Sequence, residues 1–374
     1  MRNSFKTPYQ TISWGIENLG EALLRAKAEK VLLVTDASFP FLSVKSAVKA
    51  LPVPYVVFDQ FDSNPLYEDV CRGVELFNRE DCDTIVAVGG GSSIDVAKCI
   101  KLYCKMDPSQ NYLRQAPSDS KVPLIAIPTT AGTGSESTRF AVIYFEGAKQ
   151  SVNHLSIIPK FALLEPQVLA TLPEYQRKST VLDALCQGIE SWWSVNATSQ
   201  SRLLSRKAVE LLASRVETYA AGGSDPQLLA EVMEAANYAG QAINLTQTTA
   251  PHAFSYKITS LFRFPHGHAV AVCLPFIWEY MIDNPRLCVG TGAPARLEQT
   301  FAEIAKALGC SSPRAAVEWF KCLLARLGME QPRAAEREQV IEALSTSVNP
   351  VRLKNNPVPL SQEAINQLYH QIVL

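Results

Sequence analysis

The rhythm of hydrophobic and polar positions changes part-way along the chain. In the first half, short β-branched runs alternate with helical spacing. Val31-Leu32-Leu33-Val34-Thr35 is a strand-like run closed by Asp36, and Tyr55-Val56-Val57-Phe58 is another, followed by the turn Ser63-Asn64-Pro65. Tyr67 to Arg79 carries Val70, Val74 and Phe77 on one helical face. Thr84-Ile85-Val86-Ala87-Val88 then runs into three glycines, and Val122 to Pro128 has strand length again. Strands alternating with helices predict right-handed crossovers and a largely parallel sheet covered on both faces.

From Pro173 onward the spacing is helical throughout, over about 174–195, 201–220, 226–246, 294–308, 312–328, 334–346 and 361–372. Thr180 to Ser194 places Val181, Leu185, Ile189 and Trp192 at helical intervals, and its face also carries Asp183, Gln187 and Glu190. The pattern predicts an α/β domain over residues 1–165 and an all-helical domain over 166–374. Small-molecule sites often lie at such domain boundaries, so the expected site is a cleft there.

Composition narrows the function classes. A chain of 374 residues suggests two or three domains and needs no covalent staples. Its 35 Lys and Arg against 36 Asp and Glu remove the electrostatic reason to expect nucleic acid or an anionic membrane as partner. The nine cysteines are scattered, with no C-x-x-C, so reduced and mostly buried thiols are expected rather than a disulfide framework or zinc ribbon. Met1 to Lys6 lacks an apolar leader pattern, and no apolar stretch of membrane-spanning length follows. A soluble cytoplasmic protein is expected.

Two loops carry candidate anion chemistry. Gly89-Gly90-Gly91-Ser92-Ser93 leaves a strand and opens a helix, where glycines admit close ligand approach and the helix start offers N–H groups to a phosphate. It is neither G-x-G-x-x-G nor a P-loop, and alone reads equally well as a serine-capped turn. Pro128-Thr129-Thr130-Ala131-Gly132-Thr133-Gly134-Ser135-Glu136 also follows a strand and gathers hydroxyls and glycines. Two such loops at the ends of parallel strands point to a shared nucleotide. Asp36 could accept from a ribose hydroxyl and repel a 2′-phosphate, or simply close its strand.

Three of the five histidines, His252, His266 and His268, fall within 17 residues. Imidazole is the commonest metal ligand, and histidines separated by a loop can converge on one ion. Any one of them alone could be an ordinary hydrogen-bonding residue at a helix end. Asp183 and Gln187, four apart on a helix face, are the candidate further ligands.

The glycine loop, the Pro128–Glu136 segment, Asp183 and the His252…His266 pair, with the Val34-Thr35-Asp36 strand end and the Asn349-Pro350…Asn356-Pro357 tail, together resemble the iron-containing (group III) alcohol dehydrogenase family over nearly the whole chain. The resemblance implies a dehydroquinate synthase-like architecture: an α/β dinucleotide-binding domain and an all-α C-terminal domain. It also implies hydride transfer between NAD(P)H and a small aldehyde or alcohol, and a divalent metal. It makes Asp183, His252 and His266 metal ligands, with Fe²⁺ expected and Zn²⁺ or Mn²⁺ compatible. On the cofactor side it places Gly89, Gly90, Gly91, Ser92, Ser93, Thr129, Thr130, Thr133, Thr138 and Lys149, with Asn64 near the nicotinamide. Asp36 sits where an acidic residue goes with NAD(H) over NADP(H), and a homodimer or larger homo-oligomer is implied.

Two positions depart from the family pattern. Gln187 stands where the helix motif usually has histidine, and its carboxamide oxygen could still ligate a hard ion. Tyr256 replaces a histidine associated with proton relay, leaving Tyr256, His268 or water as the expected donor. With Asp-Ala-Leu-Cys-Gln, Thr-Thr-Ala-Pro-His-Ala-Phe-Ser-Tyr, Pro-His-Gly-His-Ala-Val and Arg-Leu-Lys-Asn-Asn-Pro-Val, the chain looks like the phosphonoacetaldehyde-reducing branch. That would imply reduction of phosphonoacetaldehyde to 2-hydroxyethylphosphonate, with Lys257, Arg263, Thr248, Thr249, Arg352 and Lys354 as candidates to hold the phosphonate. Alternatives are a dehydrogenase for a neutral short-chain alcohol or diol, an NAD-dependent sugar-phosphate cyclase, and a non-catalytic nucleotide-binding protein.

Overall fold

The structure, a computed structural model, describes residues 5–289, 293–348 and 350–374. Met1–Ser4 and Asn349, the first residue of the tail motif, lie outside them. The chain divides into two compact units, Met1–Leu172 and Pro173–Leu374.

The first unit is built on nine strands: β1 (Phe5–Lys6), β2 (Thr11–Trp14), β3 (Val31–Thr35), β4 (Tyr55–Phe58), β5 (Thr84–Gly89), β6 (Leu124–Pro128), β7 (Phe140–Phe145), β8 (Ala148–Asn153) and β9 (Phe161–Leu164). Its helices are α1 (Leu19–Ala26), α2 (Lys45–Lys49), α3 (Tyr67–Arg79) and α4 (Gly91–Tyr103). One sheet runs β1-β2-β9-β6-β5-β3-β4, and every neighbouring pair is parallel except the edge pair β1–β2. The central strands β3, β5 and β6 are buried along their whole length, which is why they read as unbroken apolar runs rather than alternating ones.

The strand order fixes where a ligand can bind. From β3 the chain passes to β4 on one side and then crosses to β5 on the other. The crevice beyond the carboxyl ends of the strands at such a switch point is the usual ligand site of an open α/β sheet. Asp36 follows β3, Gly89 ends β5 and Pro128 ends β6, so both loops singled out in the sequence open at this one edge. The hairpin β7–β8 forms a separate two-stranded sheet turned by Glu146 and Gly147, both at positive φ.

Among the described residues the second unit contains no strand. Its helices are α5 (Glu174–Trp193), α6 (Ser199–Ala220), α7 (Pro226–Thr246), α8 (Ala250–Phe262), α9 (His266–Asp283), α10 (Ala293–Ala307), α11 (Pro313–Leu327), α12 (Arg337–Thr346), α13 (Pro350–Leu353) and α14 (Gln362–Ile372). Helices α8 and α9, and the single turn α13, are the ones that periodicity does not reveal. Gly267 to Pro275 of α9 is buried on every side, so no polar face marks the helical period. Pro251 in the first turn of α8 marks a helix start, where its missing N–H costs nothing. Trp192 and Trp193 are core residues of this unit, Trp193 packing edge-on to Trp278 and Phe301.

Candidate active site

In the first unit, the glycine loop is shaped by what lies against it. A Cβ on Gly89 would stand 2.2 Å from Ser93 Oγ and 2.6 Å from Asp36 Oδ2, and one on Gly91 would stand 2.8 Å from Thr133 Cγ2. Only glycine allows β3, α4 and the threonine loop to approach this closely. Gly90 is the N-cap of α4, and the first backbone N–H groups of a helix lack intrahelical acceptors and suit an anion. Thr129 N donates to Gly89 O at 3.0 Å, which stitches the two loops together. Asp36 accepts from Ser93 Oγ at 2.7 Å through Oδ2 and from Ser38 N at 2.9 Å through Oδ1. Oδ1 also accepts from Ser38 Oγ, so Oδ2 is the oxygen that keeps a lone pair for a ribose hydroxyl. Ser92, Thr130 and Thr133 are half-buried around the cradle, Lys149 lies half-buried on β8, and Asn64 is exposed at φ 65° ahead of α3.

Behind the cradle lies a feature that the sequence reading missed. Lys98 is fully buried, and its Nζ donates to Ser135 Oγ at 2.9 Å, Thr138 Oγ1 at 3.0 Å and Phe140 O at 2.7 Å. Ser135 Oγ donates in turn to Asp95 Oδ1 at 2.6 Å, whose Oδ2 accepts from Val142 N at 2.9 Å. Burial pulls the Lys98 ammonium down to about 8 against the opposing pull of Asp95 and Glu136. Burial likewise pushes the Asp95 carboxyl up, with Lys98 opposing it. Thr138, expected on the cofactor side, joins this network through its Oγ1. Asp95 and Lys98 fall at i and i+3 of α4, a spacing visible in sequence but without a sign that both would turn inward.

In the second unit, three donor atoms converge. One ligand atom each from Asp183, His252 and His266 lies within 4.8 Å of the other two. Asp183 sits mid-way along α5, His252 in the first turn of α8, and His266 is the first residue of α9. Gly267 makes this approach possible: a Cβ there would lie 2.0 Å from Ser179 O and 2.8 Å from Asp183 Cβ. The donor set fits a divalent cation. Asp183 Oδ1 is buried with no hydrogen-bond partner, and His252 Nε2 stands off at 3.4 Å, within ion-pair reach but without hydrogen-bond geometry. Such an orphaned buried oxygen facing an imidazole nitrogen suits an ion between them better than a direct bond. Gln187, one turn along α5, is buried beside Asp183, and its amide interacts with that carboxylate.

Glu190 completes the arrangement. The sequence places it on the same helix face, without a role. In the structure it is wholly buried, and its Oε1 meets His252 Nδ1 at 2.5 Å. Its Oε2 accepts from Thr249 N at 2.7 Å and Thr249 Oγ1 at 2.9 Å. A carboxylate on Nδ1 keeps one proton there, so the proton a cation displaces is the one on Nε2, the nitrogen that faces Asp183. Burial would lower the His252 imidazolium, but Glu190 and Asp183 outweigh it and hold it at about 9. Burial would raise the Asp183 carboxyl, and the facing His252 and His266 imidazoles bring it below its ordinary value instead.

Tyr256 lies one turn beyond His252 on α8, and its ring stacks on His266 at 6.2 Å and 24°. Burial pushes its phenol up, partly offset by Arg352. His268 has another occupation. Its Nδ1 pairs with Tyr175 Oη at 2.8 Å, its Nε2 with Glu330 O at 2.9 Å, and its ring stacks on Phe264 at 4.1 Å. With both nitrogens engaged, it stands outside the donor cluster and has no nitrogen to spare for a relay.

A glycine-rich loop opening a helix at a sheet switch point and a buried carboxylate–imidazole donor set are features that a metal-dependent dehydrogenase requires. Family comparison agrees: residues 13–166 match the iron-containing alcohol dehydrogenase model, and residues 178–373 match the C-terminal model of the same family. The chain belongs to the iron-containing alcohol dehydrogenase family, and it is an oxidoreductase of the alcohol dehydrogenase and aldehyde reductase type. It is 30% identical to choline dehydrogenase of Bacillus subtilis (strain 168), over 95% of this chain and 90% of that one. It is 31% identical to phosphonoacetaldehyde reductase of Streptomyces viridochromogenes, over 76% of this chain and 75% of that one. Its fold matches the crystal structure of sulfoacetaldehyde reductase from Bifidobacterium kashiwanohense in complex with NAD⁺, with a TM-score of 0.86 at 25% identity, covering 100% of this chain and 99% of that one. The expected fold class is the one found, and the cyclase and non-catalytic readings fall away. Among the described residues no helix is long and apolar enough to cross a membrane.

Proposed function

We propose that this enzyme uses NADH to reduce a short aldehyde carrying a phosphonate, phosphonoacetaldehyde to 2-hydroxyethylphosphonate, with a divalent cation held by Asp183, Gln187, His252 and His266. The observation that carries the reading is the convergence of the Asp183, His252 and His266 donor atoms beside the Tyr256 phenol. Fe²⁺ is the proposed ion, with Zn²⁺ as the alternative suited to the same mixed oxygen and nitrogen set. When bound, the cation supplies Lewis-acid polarisation of a carbonyl, and the reduced nicotinamide supplies the hydride.

The chain's own residues do the rest. Glu190 keeps the proton of His252 on Nδ1, leaving Nε2 as a donor. Tyr256 keeps its phenolic proton at neutral pH, because burial raises its pKa, and Oη is the atom proposed to deliver that proton to the nascent alkoxide. The Gly89–Gly91 loop, Ser92, Ser93 and the start of α4 bind the pyrophosphate, flanked by Thr129, Thr130, Thr133, Lys149 and Asn64. Asp36 favours NADH because its carboxylate accepts from a free ribose hydroxyl and repels a 2′-phosphate. The proposal places the enzyme in the cytoplasm as a homo-oligomer.

The test is an anaerobic screen of iron-reconstituted enzyme with NADH and with NADPH, comparing phosphonoacetaldehyde with lactaldehyde, glyceraldehyde and butanal. Phosphonoacetaldehyde with NADH should give the highest kcat/KM. A neutral aldehyde turned over more efficiently would transfer the enzyme to the neutral short-chain class.

A further inference from the structure

Most of the cations and hydroxyls near the histidine motifs are committed or face solvent. Lys257, Arg263 and Lys354 are exposed. Thr249 holds Glu190 and also accepts from Trp193 Nε1 at 2.9 Å. Arg352 is a half-buried cation beside the same motifs. Its Nη1 donates to Gln247 Oε1 at 2.8 Å, and its side chain hydrogen-bonds the Tyr256 phenol, which also bonds Thr248. Because the Tyr256 ring stacks on His266, the Arg352 guanidinium stands one aromatic ring away from the donor cluster.

Several contacts hold the segment there. Gln247 adopts φ 60° and ψ 174°, a region nearly reserved for glycine, and such strain persists only where surrounding structure enforces it. Asn355 supplies part of that enforcement. Its Nδ2 donates to Thr248 O at 3.0 Å, its carbonyl accepts from Val195 N at 3.1 Å, and its Oδ1 accepts from Asn196 Nδ2 at 3.0 Å. Asn356 Nδ2 donates to Val358 O at 2.7 Å and closes the following turn. The Arg-Leu-Lys-Asn-Asn-Pro-Val segment is thus strapped onto the α7–α8 connection, with Arg352 held against Gln247 and Tyr256. These residues surround a full positive charge with further donors, and the guanidinium fork matches a tetrahedral oxyanion.

We propose that Arg352, set in place by Gln247 and flanked by Thr248 and Tyr256, is the specificity-determining residue that binds the anionic tail of a short aldehyde ending in a phosphonate or a sulfonate. The proposal rests on the aldehyde reductase reading given above and adds the residue that separates charged from neutral substrates.

The test compares iron-loaded wild type with Arg352→Ala, Arg352→Lys and Gln247→Ala. Steady-state kinetics on phosphonoacetaldehyde, sulfoacetaldehyde and butanal are combined with calorimetric titration of 2-hydroxyethylphosphonate and 2-hydroxyethylsulfonate. Loss of a charge-assisted hydrogen bond predicts that Arg352→Ala lowers the ratio of anionic to neutral kcat/KM by about 10–100-fold, mainly through KM. Anionic product binding should weaken by a similar factor. Arg352→Lys should recover part of the ratio and Gln247→Ala should lose part of it. The anion with the larger wild-type ratio identifies the natural tail. An equal loss on all three aldehydes, with a displaced pH profile, would mean that Arg352 serves the Tyr256 proton instead, and the proposal fails. Wild type that reduces butanal as well as the anionic aldehydes also overturns it while leaving the reductase reading intact. Absence of NADH oxidation with every aldehyde would sink that reading itself. If Arg352→Ala proves unfolded by circular dichroism, the ratios of the other two variants decide.

Discussion

Replacing Glu190 by Gln removes one charge deep in the C-terminal unit while keeping the side chain's shape. The carboxylate serves His252 Nδ1 with one oxygen and Thr249 with the other. An amide has one acceptor, so either His252 or Thr249 must then face an NH₂ group. Loss of such a partner behind a metal-ligating histidine costs about 10–100-fold in metal affinity. The proton complicates the measurement usefully. With His252 held at about 9, a cation at pH 7 must displace a proton bound about two pH units more tightly than the medium demands, which lowers apparent affinity about 100-fold relative to pH above 9. Glu190 stabilises proton and cation alike, so the Glu190→Gln defect should be largest near pH 9.5 and shrink toward pH 7. The metal-free protein should show the opposite trend in stability. A histidine raised from 6.5 to about 9 contributes roughly 3 kcal/mol that is fully present below pH 6.5 and lost as pH rises through 9. The assay is chelator competition for Zn²⁺ and Fe²⁺ on wild type and variant at several pH values, with urea unfolding of the metal-free forms. A variant within about threefold of wild type at pH 9.5, or a wild-type affinity flat between pH 7 and 9, would refute the reasoning.

Three further outcomes follow from the same geometry. Gly267→Ala puts a methyl group into Ser179 O and the Asp183 Cβ, so the start of α9 must shift; stability should drop by about 1–3 kcal/mol and metal affinity at least tenfold, and a variant that retains full metal loading would contradict this. Lys98→Met leaves Ser135, Thr138, Phe140 O and Asp95 without their buried cation, which should cost about 3–5 kcal/mol in denaturant unfolding and weaken NADH binding in a fluorescence titration; a loss below about 1 kcal/mol would mean that the network is dispensable. Asp36→Ala should raise the kcat/KM ratio of NADPH to NADH by about tenfold or more, and an unchanged ratio would return Asp36 to the role of a strand-end residue held by Ser38 and Ser93.

The sequence by itself determined the features that depend on local pattern. Buried parallel strands leave apolar runs, glycines mark backbones that must approach one another, and Asp183, His252 and His266 are recognisable because few other residue types offer their donor atoms. It also identified Gln187 and Tyr256 as positions to examine. Only the tertiary structure decided which of these side chains act together. Glu190 and His252 are 62 residues apart, and nothing local in α5 announces that one caps the other. Gly267 to Pro275 of helix α9 carries no period because it is buried on every side, so the helical setting of His266 stayed hidden. His268 shares a motif with His266, yet two helix positions further on it points to Tyr175 and Glu330. Thr138 sits in a cofactor-like loop and also accepts from Lys98, 40 residues away in sequence. The physical reason is common to all four: a side chain's chemistry is written in its own residue, whereas its partners are set by packing between helices and strands that are distant in sequence.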